Sequence, residues 1–263
     1  ADIILKKRYY RKDKQGILLE TKPAQLFRRV AKATAAAEKE EDREYWEDIF
    51  FNLMNDSIFL PNSPALMNLG TDSGTASACF VFNIDDTMES IFDFAKEAGM
   101  VEKFGGGVGF SLSDIRPKGY PISSTQGHAC GPIKVLKYLA EGGDLVTQAG
   151  RRDGAHMAVL SIFHPDILEF IDSKNKEGTI HNFNISVGVN SGFMNAIEKG
   201  HYMVLSWPIT SEYFSTYGEA WQYIEQNFPG PKDLNVSPII MQAKDIYNVI
   251  VQGAWLNGEP GMV

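Results

Sequence analysis

The sequence predicts an α/β fold with parallel strands behind a helical N-terminal region. Two observations carry this. Two amphipathic stretches at helical spacing fill most of residues 23–55, and from residue 76 short apolar runs alternate with helical ones. The chain of 263 residues is long enough for one large domain or two modest ones.

Residues 1–20 are mixed and basic, with a turn at Asp13–Gly16. The first helix is expected from Pro23 to Glu40, with Leu26, Phe27, Val30, Ala33 and Ala37 on one face and Pro23 in its opening turn. The second is expected from Asp42 to Asn55, with Tyr45, Trp46, Ile49, Phe50 and Leu53 at the same spacing. After the turn-rich Pro61-Asn62-Ser63-Pro64, residues 76–84 read as a mostly buried strand. Asp85-Asp86-Thr87 then offers caps to a helix holding Met88, Ile91, Phe92, Ala95 and Val101. Strands are expected after Gly105, over His156–Phe163 and over Phe183–Val189. Helices are expected over Pro132–Val146, from His164 through Phe170 and over Ser191–Lys199. Residues 202–236, with Pro208, Pro229, Gly230 and Pro231 among aromatics, read as an irregular surface excursion. A last helix is expected over Pro238–Leu256, and Met262-Val263 looks like the start of another strand, as in one piece of a longer or split protein.

The charge balance, 25 basic against 33 acidic residues and a net −8, excludes a protein held to nucleic acid by a general basic field. No apolar run approaches the ~20 residues that span a bilayer, and the N-terminus lacks a signal-peptide layout. Two cysteines make no disulfide scaffold and five histidines no zinc spacing, so a cytoplasmic setting is expected.

Gly105–Gly109 is neither a P-loop nor GxGxxG, and reads either as a tight, close-packed turn or as a phosphate cradle. Arg151-Arg152, on a Gly-flanked loop, reads as a phosphate grip or a solvated pair, and Arg116 is similar. Cys79 reads as a buried, inert thiol. Cys130 opens a helix, a position that lowers a thiol pKa, but has no evident base. Asp85 and Asp86 read as helix caps, and His164 before Pro165 as a turn residue.

In order along the chain, several phrases resemble one family, the large catalytic chain of ribonucleotide reductase. They are Lys7–Asp13 with Gly16 and Glu20-Thr21, Phe59–Asn68, Ser77-Ala78-Cys79-Phe80, Gly105–Ser113, Arg116–Gly119, Gln148–Ala155, His164–Phe170 and Gly258–Gly261. The wording is similar to the class II, adenosylcobalamin-dependent type. The resemblance implies a helical region over 1–58, then the first half of a ten-stranded α/β barrel over 59–263.

It also implies roles. Cys79 is one of the redox thiol pair that reduces the ribose 2′-position, while Ser63 and the Ala78 backbone contact the ribonucleotide substrate. Asp86, Thr87, Arg116 and Ile122 hold an effector deoxynucleoside triphosphate or ATP, and Gln148 and Arg152 relay its identity to the substrate base. The helices near 87–103 and 132–146 pack in a homodimer, and a thioredoxin-type reductant resets the thiols. The family's radical-bearing cysteine and second reducing cysteine fall in a remaining C-terminal part, and Cys130 matches neither. Ala149, Asp153 and His156 stand where the family's specificity loop reads Gly, Arg and Asn. The competing expectation is a non-catalytic nucleotide-binding module or split half, and a diiron-radical reductase on the same barrel is a third.

Overall fold

A computed structural model describes residues 2–72, 75–146, 156–175, 180, 182–228 and 237–263. The chain divides into two compact units, one of residues 1–80, 99–107 and 146–154, the other of 81–98, 108–145 and 155–263.

In the first unit, α1 (Asp2–Ile4) runs into a π-helical turn (Leu5–Tyr9). Then come α2 (Pro23–Ala35), α3 (Arg43–Asn55) and the short α4 (Ser63–Asn68). Their apolar faces meet at Tyr10, Leu26, Val30, Ala31 and Met54, all nearly sealed from solvent. Gln25 closes the start of α2 by accepting from the Thr21 and Lys22 amides at 2.8 and 3.1 Å. This helix stops at Ala35 rather than Glu40, because the expected face runs out: Ala37 is exposed and gains nothing from continuing the helix. A buried ion pair fastens α2 to α4. Arg29 Nε donates to Glu20 Oε1 at 2.6 Å, and its Nη groups donate to the carbonyls of Leu66, at 3.1 Å, and Leu69.

The main sheet has the order β1 (Cys79–Phe82), β2 (Gly107–Ser111), β5 (His156–Ser161), β6 (Phe183–Gly188) and β10 (Gly261–Met262). The pairs β2–β5, β5–β6 and β6–β10 are parallel. Each crossover carries helix: α5 (Met88–Lys103), α6 (Pro132–Leu145), α7 (Ile167–Asp172), and finally α8 (Ser191–Lys199) with α10 (Ala243–Asn257). A hairpin of β3 (Pro121–Ile122) and β4 (Gly127–His128) precedes α6. In the second unit, Phe94, Phe110 and Phe183 form an edge-to-face chain with centroids 4.5 and 5.7 Å apart.

Three expectations are corrected. β1 is shorter than residues 76–84 and is not mostly buried; Val81 is 84% exposed and the Cys79 thiol is open to solvent. The strand stands at the end of the sheet order, so one of its edges has no neighbouring strand among the described residues. Residues 202–228 are not irregular. They fold into β7 (Tyr202–Leu205), β8 (Tyr213–Phe214) and α9 (Tyr217–Asn227), around fully buried Val204 and Ala220. The proline- and glycine-rich positions that looked irregular are joints between these elements, or lie outside the described residues (229–236). The last helix does not begin at Pro238: β9 (Ile239–Gln242) comes first, pairing antiparallel with β7 from Tyr202↔Gln242 to Leu205↔Ile239.

Candidate functional site

Residues assigned to substrate chemistry lie in the first unit. Asn62 caps α4, its Oδ1 accepting from Ala65 N at 2.8 Å, which sets Ser63 on the helix's first turn. The Ser63 hydroxyl shares a 2.8 Å hydrogen bond with the Tyr9 hydroxyl, a partner that sequence reasoning missed. At the other end of α4, Asn68 Nδ2 donates to the carbonyl of Thr75 at 2.9 Å, tying the helix to the segment that leads into β1. Ala78 accepts from Gly107 N at 2.7 Å. Cys79 follows with an exposed, unpaired thiol, not the buried one that its apolar neighbours imply.

The glycine-dense turn before β2 resolves as a close-packing site. Gly105 has φ +88°, and a Cβ on Gly106 would lie 2.6 Å from Val101 Cγ1 and 3.0 Å from the Phe80 ring.

Of the residues assigned to an effector, Asp86, Thr87, Arg116 and Ile122 lie in the second unit. Thr87, not the two aspartates, caps α5, its Oγ1 accepting from Ser90 N at 3.1 Å. Asp86 is drawn away from the helix to Arg116: its Oδ1 accepts from Arg116 N at 3.1 Å and its Oδ2 from Arg116 Nε. The Arg116 side chain stays 29% exposed, so its outer edge is within reach of solvent anions. Nη1 leans toward the carbonyl of Pro121 at 3.4 Å, beside Ile122 on β3. The structure thus gathers Asp86, Thr87, Arg116 and the Ile122 hairpin around the start of α5. Gln148 and Arg152, with Ala149, Asp153 and Arg151, lie outside the described residues. His156, the remaining departure, is buried with its ring stacked on Phe183 at 4.5 Å.

His164 lies in the expected turn and is fully buried there. Its Nε2 faces the carbonyl of Ile115 at 2.9 Å and its Nδ1 accepts from Asp166 N at 3.0 Å. Burial drives its pKa down from 6.5 to about 4, overcoming the upward pull of the Ile115 contact. The unfolded chain takes up this proton below pH ~6.5 and the folded chain only below about 4, so acidification through that window favours unfolding. By pH 4.5 the loss is about 2 kcal/mol relative to pH 7. His164→Gln has no such proton to bind. The stability advantage of the parent chain over the variant is therefore expected to shrink by that amount between pH 7 and 4.5 in urea denaturation. A gap independent of pH would contradict the buried neutral ring.

A helical region followed by a parallel sheet laid down in chain order, with helical crossovers, is a segment of an α/β barrel. The model of the ribonucleotide reductase all-alpha domain matches residues 3–74, and that of the ribonucleotide reductase barrel domain matches residues 77–263. The chain belongs to the ribonucleotide reductase family. It is 34% identical to a vitamin B12-dependent ribonucleoside-diphosphate reductase of Mycobacterium tuberculosis (strain CDC 1551 / Oshkosh), an alignment covering 100% of this chain and 35% of that protein. It is 37% identical to a reductase of the same description from Thermoplasma acidophilum, over 81% of this chain and 25% of the relative. The alpha subunit of a ribonucleoside-diphosphate reductase from Chlamydia muridarum is 26% identical over 97% of this chain and 25% of its own length. The chain thus spans about a third or less of the length of these relatives.

Proposed function

We propose that these residues form the N-terminal part of a vitamin B12-dependent ribonucleotide reductase, with a helical region over 1–58 and the first half of the barrel over 59–263. The observation that carries this reading is the thiol of Cys79, open to solvent at the start of the first barrel strand. Reduction of the ribose 2′-position removes its hydroxyl oxygen as water and requires two electrons and two protons. A pair of thiols supplies both and ends as a disulfide. Cys79 is one of that pair, and its partner belongs to the remaining C-terminal part of the reductase. A thioredoxin-type dithiol then restores the pair by exchange. Ser63, oriented by Tyr9, and the Ala78 backbone position the ribonucleotide.

Adenosylcobalamin brings its own nitrogen ring around the cobalt, so a chain that holds it needs no cluster of protein metal ligands. When bound, the cofactor supplies the radical that activates the sugar.

Asp86, Thr87, Arg116 and Ile122, with Gln148 and Arg152, make the effector site for a deoxynucleoside triphosphate or ATP. Coupling to the substrate base is worth ~1–3 kcal/mol, the usual size for such linkage. A homodimer covers the exposed Met88 and Phe92 of α5 and Tyr138 of α6, where Phe92 and Tyr138 already meet edge to face at 5.7 Å. No described helix is long and apolar enough to cross a membrane, and the reading places the enzyme in the cytoplasm.

The test is turnover of the complete reductase chain, given a ribonucleotide and a dithiol, with and without adenosylcobalamin. Deoxyribonucleotide is expected only with the cofactor. Equal product without it, or none with it, would overturn the reading.

A further inference from the structure

The loop that carries Arg116 is fastened from one direction. Ile115 accepts from His164 Nε2 at 2.9 Å, and Lys118 N donates to Asp166 Oδ2 at 2.8 Å. Between these two points, Arg116 N and Nε meet Asp86. His164 and Asp166 lie in one turn between β5 and α7, and that turn is itself closed by the bond from Asp166 N to His164 Nδ1 at 3.0 Å.

The protonation pattern is determined by the neighbours. A carbonyl opposite Nε2 requires a proton there, and an amide N–H opposite Nδ1 requires a lone pair. The neutral Nε2–H tautomer satisfies both with no atom left over. Trp207 closes the pocket edge-on at 5.8 Å, and Ser206 N donates to the carbonyl of Phe163 at 3.1 Å. The ring is held firmly enough to act as a fixed donor.

We propose that His164 and Asp166 are positioning residues for the nucleotide-binding arginine: they clamp the backbone on either side of Arg116 and so aim its guanidinium at the phosphates of the effector. Neither side chain touches the nucleotide. The inference rests on the effector reading given above. Its physical basis is that a charge-assisted contact to phosphate needs a fixed donor direction, and a loop held at one end by Asp86 alone leaves the arginine several.

Calorimetric titration with dTTP, with the melting temperature measured beside it, tests this on the full chain. Gln carries an N–H donor near the position of Nε2, so His164→Gln is expected to retain affinity within about threefold. Asn can accept from Asp166 N, as Nδ1 does, but falls short of Ile115, so His164→Asn is expected to lose affinity about tenfold. Asp166→Ala frees Lys118 without emptying the buried ring pocket. It is expected to weaken dTTP binding severalfold even if His164→Asn fails to fold. Arg116→Ala is the reference and is expected to lose tenfold or more. If Arg116→Ala loses affinity while Asp166→Ala and His164→Asn lower only the melting temperature, the positioning role is wrong and the effector reading stands. If Arg116→Ala binds dTTP as well as the parent chain, the effector reading fails and takes the positioning role with it.

Discussion

Cys79→Ser in the complete reductase is expected to bring multiple-turnover deoxyribonucleotide formation down to background, on the reading that Cys79 is one of the reducing thiols. A serine hydroxyl adds nearly the same volume but cannot be oxidised to a disulfide, so the two electrons needed at the ribose have no source. The thiol is exposed. The swap therefore buries no new polar group, and the unfolding free energy is expected to stay within ~0.5 kcal/mol of the parent, as for other surface changes. That combination, lost turnover in an intact fold, separates a redox thiol from a packing residue. The measurement is product formed per enzyme over many cycles with excess dithiol, alongside urea denaturation. Turnover at the parent rate would remove Cys79 from the chemistry.

The second large effect is on stability. Lys174 and Glu259 form an ion pair of 2.6 Å whose side chains are only 13% and 19% exposed. Glu259 Oε2 also accepts from Ile185 N on β6 at 2.9 Å, and Lys174 Nζ also donates to the carbonyl of Phe183. One carboxylate thus anchors the approach to β10 on its neighbour strand. Glu259→Ala leaves a buried ammonium and an orphaned amide, a combination expected to cost about 3 kcal/mol or more. Glu259→Gln keeps an acceptor for Ile185 and is expected to cost less. Replacing both partners with apolar residues, Lys174→Met with Glu259→Leu, should recover part of the loss, since no unpaired charge remains. Urea denaturation of the four proteins decides this. If Glu259→Ala unfolds within ~0.5 kcal/mol of the parent, the pair is not holding the strand.

Elements defined by neighbouring residues were legible in the sequence. The helix Ser191–Lys199 is found as expected because both ends are written locally: Asn190 accepts from Phe193 N at 2.9 Å, and Gly200 turns the chain away at φ +67°. Elements defined by distant partners were not. β7 needs β9 to be a strand, and the two are separated by residues whose proline and glycine content reads as loop. His164 faces a carbonyl 49 residues earlier in the chain, so nothing beside it reveals that it is a buried donor. The same holds for the site. The resemblance named Ser63, Asp86 and Arg116, but Tyr9 beside Ser63, and Asp86 as the partner of Arg116 and not a cap, follow only from the folded chain.

The chain order of the main sheet also bears on synthesis. Since β1, β2, β5, β6 and β10 stand side by side in the order they are translated, each new strand finds its template already made at the growing edge. From β1 to β6, each strand meets its next partner after a single helical crossover. Such a sheet can lengthen by one crossover at a time as the chain leaves the ribosome. Besides the small β3–β4 hairpin between β2 and β5, the larger interruption among the described residues is the antiparallel trio between β6 and β10. It closes on itself through the pairing of Tyr202 with Gln242, so the nascent chain can complete it as a separate knot of structure. Only after that does Gly261 come opposite Ser186, and β6 is the edge left open in the meantime.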